Sequence, residues 1–202
     1  SVVGDYTGDG KADLAVYRRG VNDGDPSTWY YRSIGSPPGV QSVPWGVGGD
    51  VPAPGDYDGD GKFDFVIQRT DFNGVNGRFW TKEATGDQFS DWFGLKDDSI
   101  VPGDYDGDEI TDLAVVRVVN GFFQWTYRPS SGGPDVTDVW GVAATDILAP
   151  GDYNGDGKTD YAVWRPGNPG TFFVMTPVTR NIFSRPWGET GDYPAANYME
   201  HF

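Results

Sequence analysis

One segment recurs four times along the chain: GDYTGDGKADLAVYR at 4–18, GDYDGDGKFDFVIQR at 55–69, GDYDGDEITDLAVVR at 103–117 and GDYNGDGKTDYAVWR at 151–165. Its first Asp falls at 5, 56, 104 and 152, intervals of 51, 48 and 48, and a second marker, Trp45, Trp92, Trp140 and Trp187, recurs at 47, 48 and 47. Two markers with one period mean that a single structural unit is repeated, which restricts the chain to architectures stacked from one supersecondary element. Gly and Pro interrupt the chain about every ten residues, and the apolar runs between them are short and aromatic or β-branched. The unit is therefore built from strands rather than helices.

Within one unit four strands are expected: 51–57, 63–69 after an Asp-rich loop, about 78–84 and about 88–93. Four short antiparallel strands in about 48 residues match one blade of a β-propeller, whose sheets pack face to face. Both faces of a blade are then covered. The second strand fits this, with Leu14, Val16, Phe65, Ile67, Leu113, Val115, Tyr161 and Val163 on one face and Ala15, Val66, Ala114 and Ala162 on the other. The expectation is an all-β fold, a single domain over 1–202 forming a β-propeller of four four-stranded blades. The repeats run approximately 1–49, 50–97, 98–145 and 146–191. WGETGDYPAAN at 187–197 aligns with WGVGGDVPAPG at 45–55, so 192–202 carries a surplus first strand that closes the ring, is donated to a neighbouring copy, or marks the chain as a segment of a longer propeller.

Composition narrows the chemistry. Thirty acidic against fifteen basic residues give a formal charge of −15 over 202 residues, so a polyanion such as nucleic acid or an acidic membrane face is repelled. The absence of Cys removes disulfides, thiolate metal sites and thiol catalysis, and the single His, His201, removes most serine-type triads and multi-histidine centres. No apolar run approaches the roughly 18 residues of a membrane span. Without a basic-then-apolar leader, a chain opening at Ser1 reads as a processed or excised product.

The second Asp-rich loop places carboxylates at positions 1, 3, 5 and 9: Asp56, Asp58, Asp60 and Asp64. Alternate residues of a tight loop turn their side chains to one centre, the Lys62 carbonyl at position 7 adds an oxygen, and Gly61 permits the turn. Hard oxygen donors at this spacing suit Ca²⁺. Mg²⁺ wants fewer protein ligands and a stricter octahedron, and transition metals want imidazole or thiolate. An EF-hand is excluded because its bidentate Glu at position 12 is replaced by Val16, Ile67, Val115 and Val163. The nine-residue period of calcium-binding β-rolls is absent as well.

The whole pattern resembles the FG-GAP or VCBS-type repeat of integrin-α-like propellers, in which such a loop joins the first and second strands of a blade. Carried over residue by residue, the resemblance implies up to four Ca²⁺. The first site takes Asp5, Thr7, Asp9, Asp13 and the Lys11 carbonyl. The third takes Asp104, Asp106, Asp108, Asp112 and the Ile110 carbonyl, with Glu109 where Gly is expected, which demands an unusual φ. The fourth takes Asp152, Asn154, Asp156, Asp160 and the Lys158 carbonyl. Fourteen carboxylates in four loops would repel one another without cations. Extracellular calcium modules bind at roughly 10⁻⁴ to 10⁻³ M and would be poorly saturated in a low-calcium cytosol, which points to a secreted or surface protein.

Other recurring residues read as structural. The period Trps are expected in the core, Arg18, Arg69, Arg117 and Arg165 in internal ion pairs or cation–π contacts, and Tyr6, Tyr57, Tyr105 and Tyr153 as lids over the loops. The units differ most after the second strand, at 19–28, 70–77, 118–121 and 166–170, where a partner would touch. No catalytic constellation is present: Glu83, Glu189 and Glu200 form no recognisable pair. The functional expectation is a non-catalytic adhesion or ligand-binding module outside the cell, with a protein or glycan partner. Two alternatives stay open, a filament subunit assembling head-to-tail with its own copies and a lectin-like accessory domain.

Overall fold

The computed structural model describes residues 2–33, 39–83, 86 and 88–195. The chain is all-β and is built as a β-propeller of four blades, two in each of two compact units divided at Asp97/Asp98. Among the described residues there is no helix, and hence none long and apolar enough to cross a membrane.

In the first unit, blade one comprises β1 (Leu14–Arg18), β2 (Pro26–Arg32) and β3 (Gln41–Val47). Blade two comprises β4 (Val51–Pro52), β5 (Phe65–Thr70), β6 (Asn76–Lys82) and β7 (Gln88–Leu95). In the second unit, blade three comprises β8 (Ser99–Ile100), β9 (Leu113–Val119), β10 (Phe122–Arg128) and β11 (Val136–Val142). Blade four comprises β12 (Ile147–Leu148), β13 (Tyr161–Arg165), β14 (Thr171–Met175) and β15 (Ile182–Pro186). Each sheet is antiparallel and follows chain order. In blade one the first strand is reduced to the Gly4–Asp13 bridge, because the residue equivalent to Pro52 is Ser1, outside the described residues. Of the surplus strand, Tyr193, Pro194 and Ala195 belong to no strand and 196–202 lie outside the described residues; Ala84, placed in the third strand, lies outside them too.

The recurring Trp-Gly pair has a local cause. Two residues of the fourth strand oppose one of the third, Trp45 and Gly46 against Ser27 and Trp140 and Gly141 against Phe123, and the two glycines hold φ of 95° and 97°. These are β-bulges, with glycine supplying the left-handed backbone. In blade two the bulge is Phe93-Gly94 opposite Gly77, so the counterpart of Trp45 is Phe93 rather than Trp92.

Each unit buries an aromatic box between its two blades. Tyr6 stacks on Phe65 at 5.2 Å with Trp29 and Tyr31 beside them. The same repeat positions hold Tyr105, Tyr161, Trp125 and Tyr127, but here Tyr105 stacks at 5.2 Å on Tyr127, the counterpart of Tyr31. The core tryptophans are thus Trp29, Trp125 and Trp164, all fully buried. The period tryptophans are not uniformly core: Trp92 is 50% and Trp187 77% exposed, whereas Trp140 is partly buried against the core of the second unit, and Trp45 and Trp140 reach across to the next blade and donate to the carbonyls of Trp80 and Phe173. The fully buried tryptophans lie on second and third strands. The covered second strand holds for β5 and β13, but Leu14 and Val16 of β1 are exposed. It is the opposite face of β1, through Tyr17 against Trp29 at 5.0 Å, that is packed.

Candidate metal centre

The four Asp-rich loops have one construction. Each is closed by an antiparallel bridge in which the position-9 Asp donates its N–H to the glycine carbonyl before position 1: Asp13 to Gly4, Asp64 to Gly55, Asp112 to Gly103 and Asp160 to Gly151, at 2.7 to 2.9 Å. The position-1 carboxylate then gathers the loop's own N–H groups. Asp5 accepts from Gly8 and Gly10, Asp56 from Gly59 and Gly61, Asp104 from Gly107 and Glu109, and Asp152 from Gly155 and Gly157. An ionised carboxylate is acceptor-only, so it can organise a turn whose N–H groups all point inward. Position 6 is left-handed in every loop, at Gly10, Gly61 and Gly157 and also at Glu109, whose φ is 70°. The unusual φ expected of Glu109 is there.

Positions 3 and 5 are exposed in the first, second and fourth loops, and Asp106 at position 3 of the third is half-buried. Thr7 lies 3.4 Å from Asp5 Oδ1, Asn154 Nδ2 donates to Asp156 at 3.0 Å, and Asp58 accepts the Asp60 N–H at 3.0 Å. The position-7 residues Lys11, Lys62, Ile110 and Lys158 donate their N–H to the carboxylate at position 5. Among the described residues, carboxylate oxygens of Asp56, Asp58 and Asp64, and of Asp104, Asp106 and Asp108, come within 4.8 Å of one another. Such acidic clusters could hold a metal.

The position-9 carboxylate is the buried one, and one of its oxygens always accepts the N–H of the position-2 Tyr at 2.8 to 3.0 Å. In Asp13, Asp64 and Asp160 the other oxygen, Oδ1, is buried with no hydrogen-bond partner. An orphaned acceptor of this kind costs about 1–3 kcal/mol, more when charged. In the third loop that oxygen of Asp112 accepts the Ser130 N–H at 2.7 Å, and it is Asp106 Oδ1 that is buried and unpartnered.

Ionisation follows this pattern. Burial works to raise Asp5 and Asp152, but their four backbone N–H donors outweigh it and hold both carboxyls below the usual range. Burial pushes Asp64 up to about 7, against the Tyr57 N–H and with the charges of Asp58, Asp56 and Glu83 adding to it. Burial likewise raises Asp112, to about 6, and raises Asp160 and Asp56. Charge on Asp64 is thus the costly form in the fold, and stability that is present below pH 3.8 is lost as pH rises toward 7 unless a cation supplies the missing counter-charge.

Residues 3–67, the first loop with its blade and the start of the second, match the family model described as FG-GAP-like repeat. The same loop, bridge and blade recur three times more in the structure. Residues 3–67 are thus an FG-GAP-like repeat, of the FG-GAP/VCBS type. Among curated proteins and among solved structures nothing matches the chain.

Two recurring residues hold the loops in place. The position-2 tyrosines act as tethers. Each hydroxyl donates to the carbonyl four residues back, Tyr6 to Val2, Tyr57 to Ala53, Tyr105 to Val101 and Tyr153 to Ala149, tying the loop to the strand before it. The strand-end arginines form the expected internal contacts: Arg69, Arg117 and Arg165 grip Asp50, Asp98 and Asp146 nineteen residues earlier, and Arg18 lies over the Tyr30 ring at 4.5 Å. Sequence reasoning passed over these Asp residues, although their period of 48 was visible. It also passed over Ser130 and Ser131, which no repeat pattern marks.

Proposed function

We propose that this protein is a calcium-stabilised, extracellular, non-catalytic module that binds a protein or glycan ligand. The observation that carries the calcium reading is the buried, unpartnered Oδ1 of Asp13, Asp64 and Asp160, each facing a loop of further oxygen donors. Ca²⁺ fits this donor set. The ligands are all oxygen, several are carboxylates, and the described residues include no imidazole or thiolate. In each loop the position-1, -3, -5 and -9 side chains and the position-7 carbonyl would hold the ion, which supplies structure rather than reactivity. Four divalent ions would bring the formal charge from −15 to −7.

Millimolar calcium at dissociation constants of roughly 10⁻⁴ to 10⁻³ M contributes about 1 kcal/mol per site, a few in all, comparable with the net stability of a domain. Such weak sites suit an extracellular setting, and FG-GAP repeats are typical of extracellular proteins. The ligand is assigned to the connections at the opposite strand ends, 19–28 above all, where the repeats diverge most.

The test is a thermal melt with sedimentation of the intact chain in 2 mM calcium and in excess chelator, our chosen conditions. The expected result is a calcium-dependent rise in midpoint on the order of 10 °C with unchanged mass. No calcium effect overturns the metal reading. Large calcium-dependent polymers replace the adhesive module with the filament. A glycan array that binds only when 19–28 is intact would identify the ligand as carbohydrate.

A further inference from the structure

The third loop differs from the others in what its carboxylates already hold. The hairpin tip between β10 and β11 folds back over it. Ser130 donates its N–H to Asp112 Oδ1 at 2.7 Å and its hydroxyl to Asp108, 2.9 Å from both oxygens, while the Ser131 hydroxyl donates to Asp106 Oδ2. Lys158, from the loop of blade four, adds its ammonium to the Asp106 carbonyl. Three carboxylates and a carbonyl of this loop are therefore served by protein donors, one of them a cation.

The equivalent hairpin of blade four does nothing similar. Its residues 176–181 are all described and bond among themselves, Thr176 to Thr179 and Asn181 to Thr176, and Asp160 Oδ1 has no partner. In blade one Ser33 donates to Asp9 at 3.3 Å and Asp13 Oδ1 is again unpartnered; the residues equivalent to Ser130 and Ser131 in blades one and two, 34, 35, 84 and 85, lie outside the described residues.

Resting on the calcium reading above, we propose that Ser130 and Ser131 set the order in which the loops fill: they compete with the cation at the third loop, which is therefore the last to load. The loop is not closed to an ion, since Asp106 Oδ1 is buried and free and Asp104, Asp106 and Asp108 converge. Loading it has to displace two serine hydroxyls and bring a divalent ion beside the Lys158 ammonium, whereas the buried oxygens of Asp13, Asp64 and Asp160 have no partner to give up, and among the described residues the second loop sets against the ion only the long Lys62–Asp60 pair at 3.5 Å. Ser130 and Ser131 act on affinity through the carboxylates. The device gives one chain two calcium thresholds, with the 129–135 hairpin released at the higher.

The experiment is calorimetric titration of the full chain with Ca²⁺, for the wild type, S130A/S131A and D104N. The expected wild-type isotherm has three tighter events and one at least ten-fold weaker. D104N removes the weak event alone, and S130A/S131A tightens it at least five-fold without moving the other three. Four equivalent events, or a weak event unmoved by S130A/S131A, overturn the proposal and leave the calcium reading standing. A chain that takes up no calcium overturns both. If D104N does not fold, the shift produced by S130A/S131A decides alone, because both serines lie at a partly exposed hairpin tip.

Discussion

Arg165 holds the carboxylate of Asp146 in a two-pronged grip, Nε to Oδ1 at 2.6 Å and Nη2 to Oδ2 at 2.9 Å, while the other end of the guanidinium faces solvent over the Phe173 ring. The same carboxylate accepts the Val142 N–H just beyond the bulge at Gly141. One ion pair thus ties the end of blade three to the second strand of blade four, and Asp50 with Arg69 does the same between blades one and two.

Replacing Arg165 by Met leaves the Asp146 carboxylate buried without its counter-charge. Because the Arg side chain is 42% exposed, we expect a loss of about 2–3 kcal/mol, less than for a fully buried pair, read from urea melts. Burial works to raise Asp146, but Arg165 and the Val142 N–H overcome it and lower its pKa. The stabilisation is therefore present above the unfolded value of 3.8 and lost as pH falls through the lower folded value. R165M should show a shallower loss of stability below pH 4 than the wild type; equal slopes would refute the assignment.

Glu109 sits at φ 70° where the three other loops have glycine. E109G should stabilise the chain by about 1 kcal/mol, since the left-handed conformation costs an L-residue roughly 1–2 kcal/mol and glycine loses part of that gain to chain entropy. A destabilised variant would mean that the Glu109 side chain contributes contacts of its own.

The glycine that opens each motif is required for space at some positions and not at others. A Cβ at Gly103 would lie 2.4 Å from Thr159 Oγ1 and 3.0 Å from its Cβ, and one at Gly151 would meet nothing nearer than 3.4 Å. Thr is stiff at χ1 and cannot swing clear. G103A should cost about 1–3 kcal/mol and G151A under about 0.5 kcal/mol in the same melts. Equal effects would show that the motif's Gly serves the loop and not the neighbouring blade.

Tyr105 is fully buried with its hydroxyl on the Val101 carbonyl at 2.8 Å, and Tyr153 makes the equivalent bond while 42% exposed. Y105F should cost about 1–2 kcal/mol and Y153F roughly half as much, because water can replace the lost donor only at the second site. Chevron or equilibrium denaturation of both variants checks the ratio.

Much of this was readable before folding. The strand content, the 48-residue blade and the loop's carboxylate spacing are local properties, decided by turn residues and by alternation within a few residues of one another. The left-handed φ at Glu109 follows from the same locality. A period locates a tryptophan in the unit without saying which way it faces. Trp140 packs against the core while Trp92 and Trp187 are exposed, and full burial falls to Trp29, Trp125 and Trp164 on the strands.

The sequence by itself determined how many blades and loops this protein has and which oxygens each loop can offer, because hydrogen bonds within a turn depend on neighbours in the chain. Only the tertiary structure decided which of those oxygens are already used. Ser130 stands eighteen residues from Asp112, and Lys158 fifty-two from Asp106. Contacts at such separations exist only once strands have paired and blades have packed, and no spacing within the repeat encodes them.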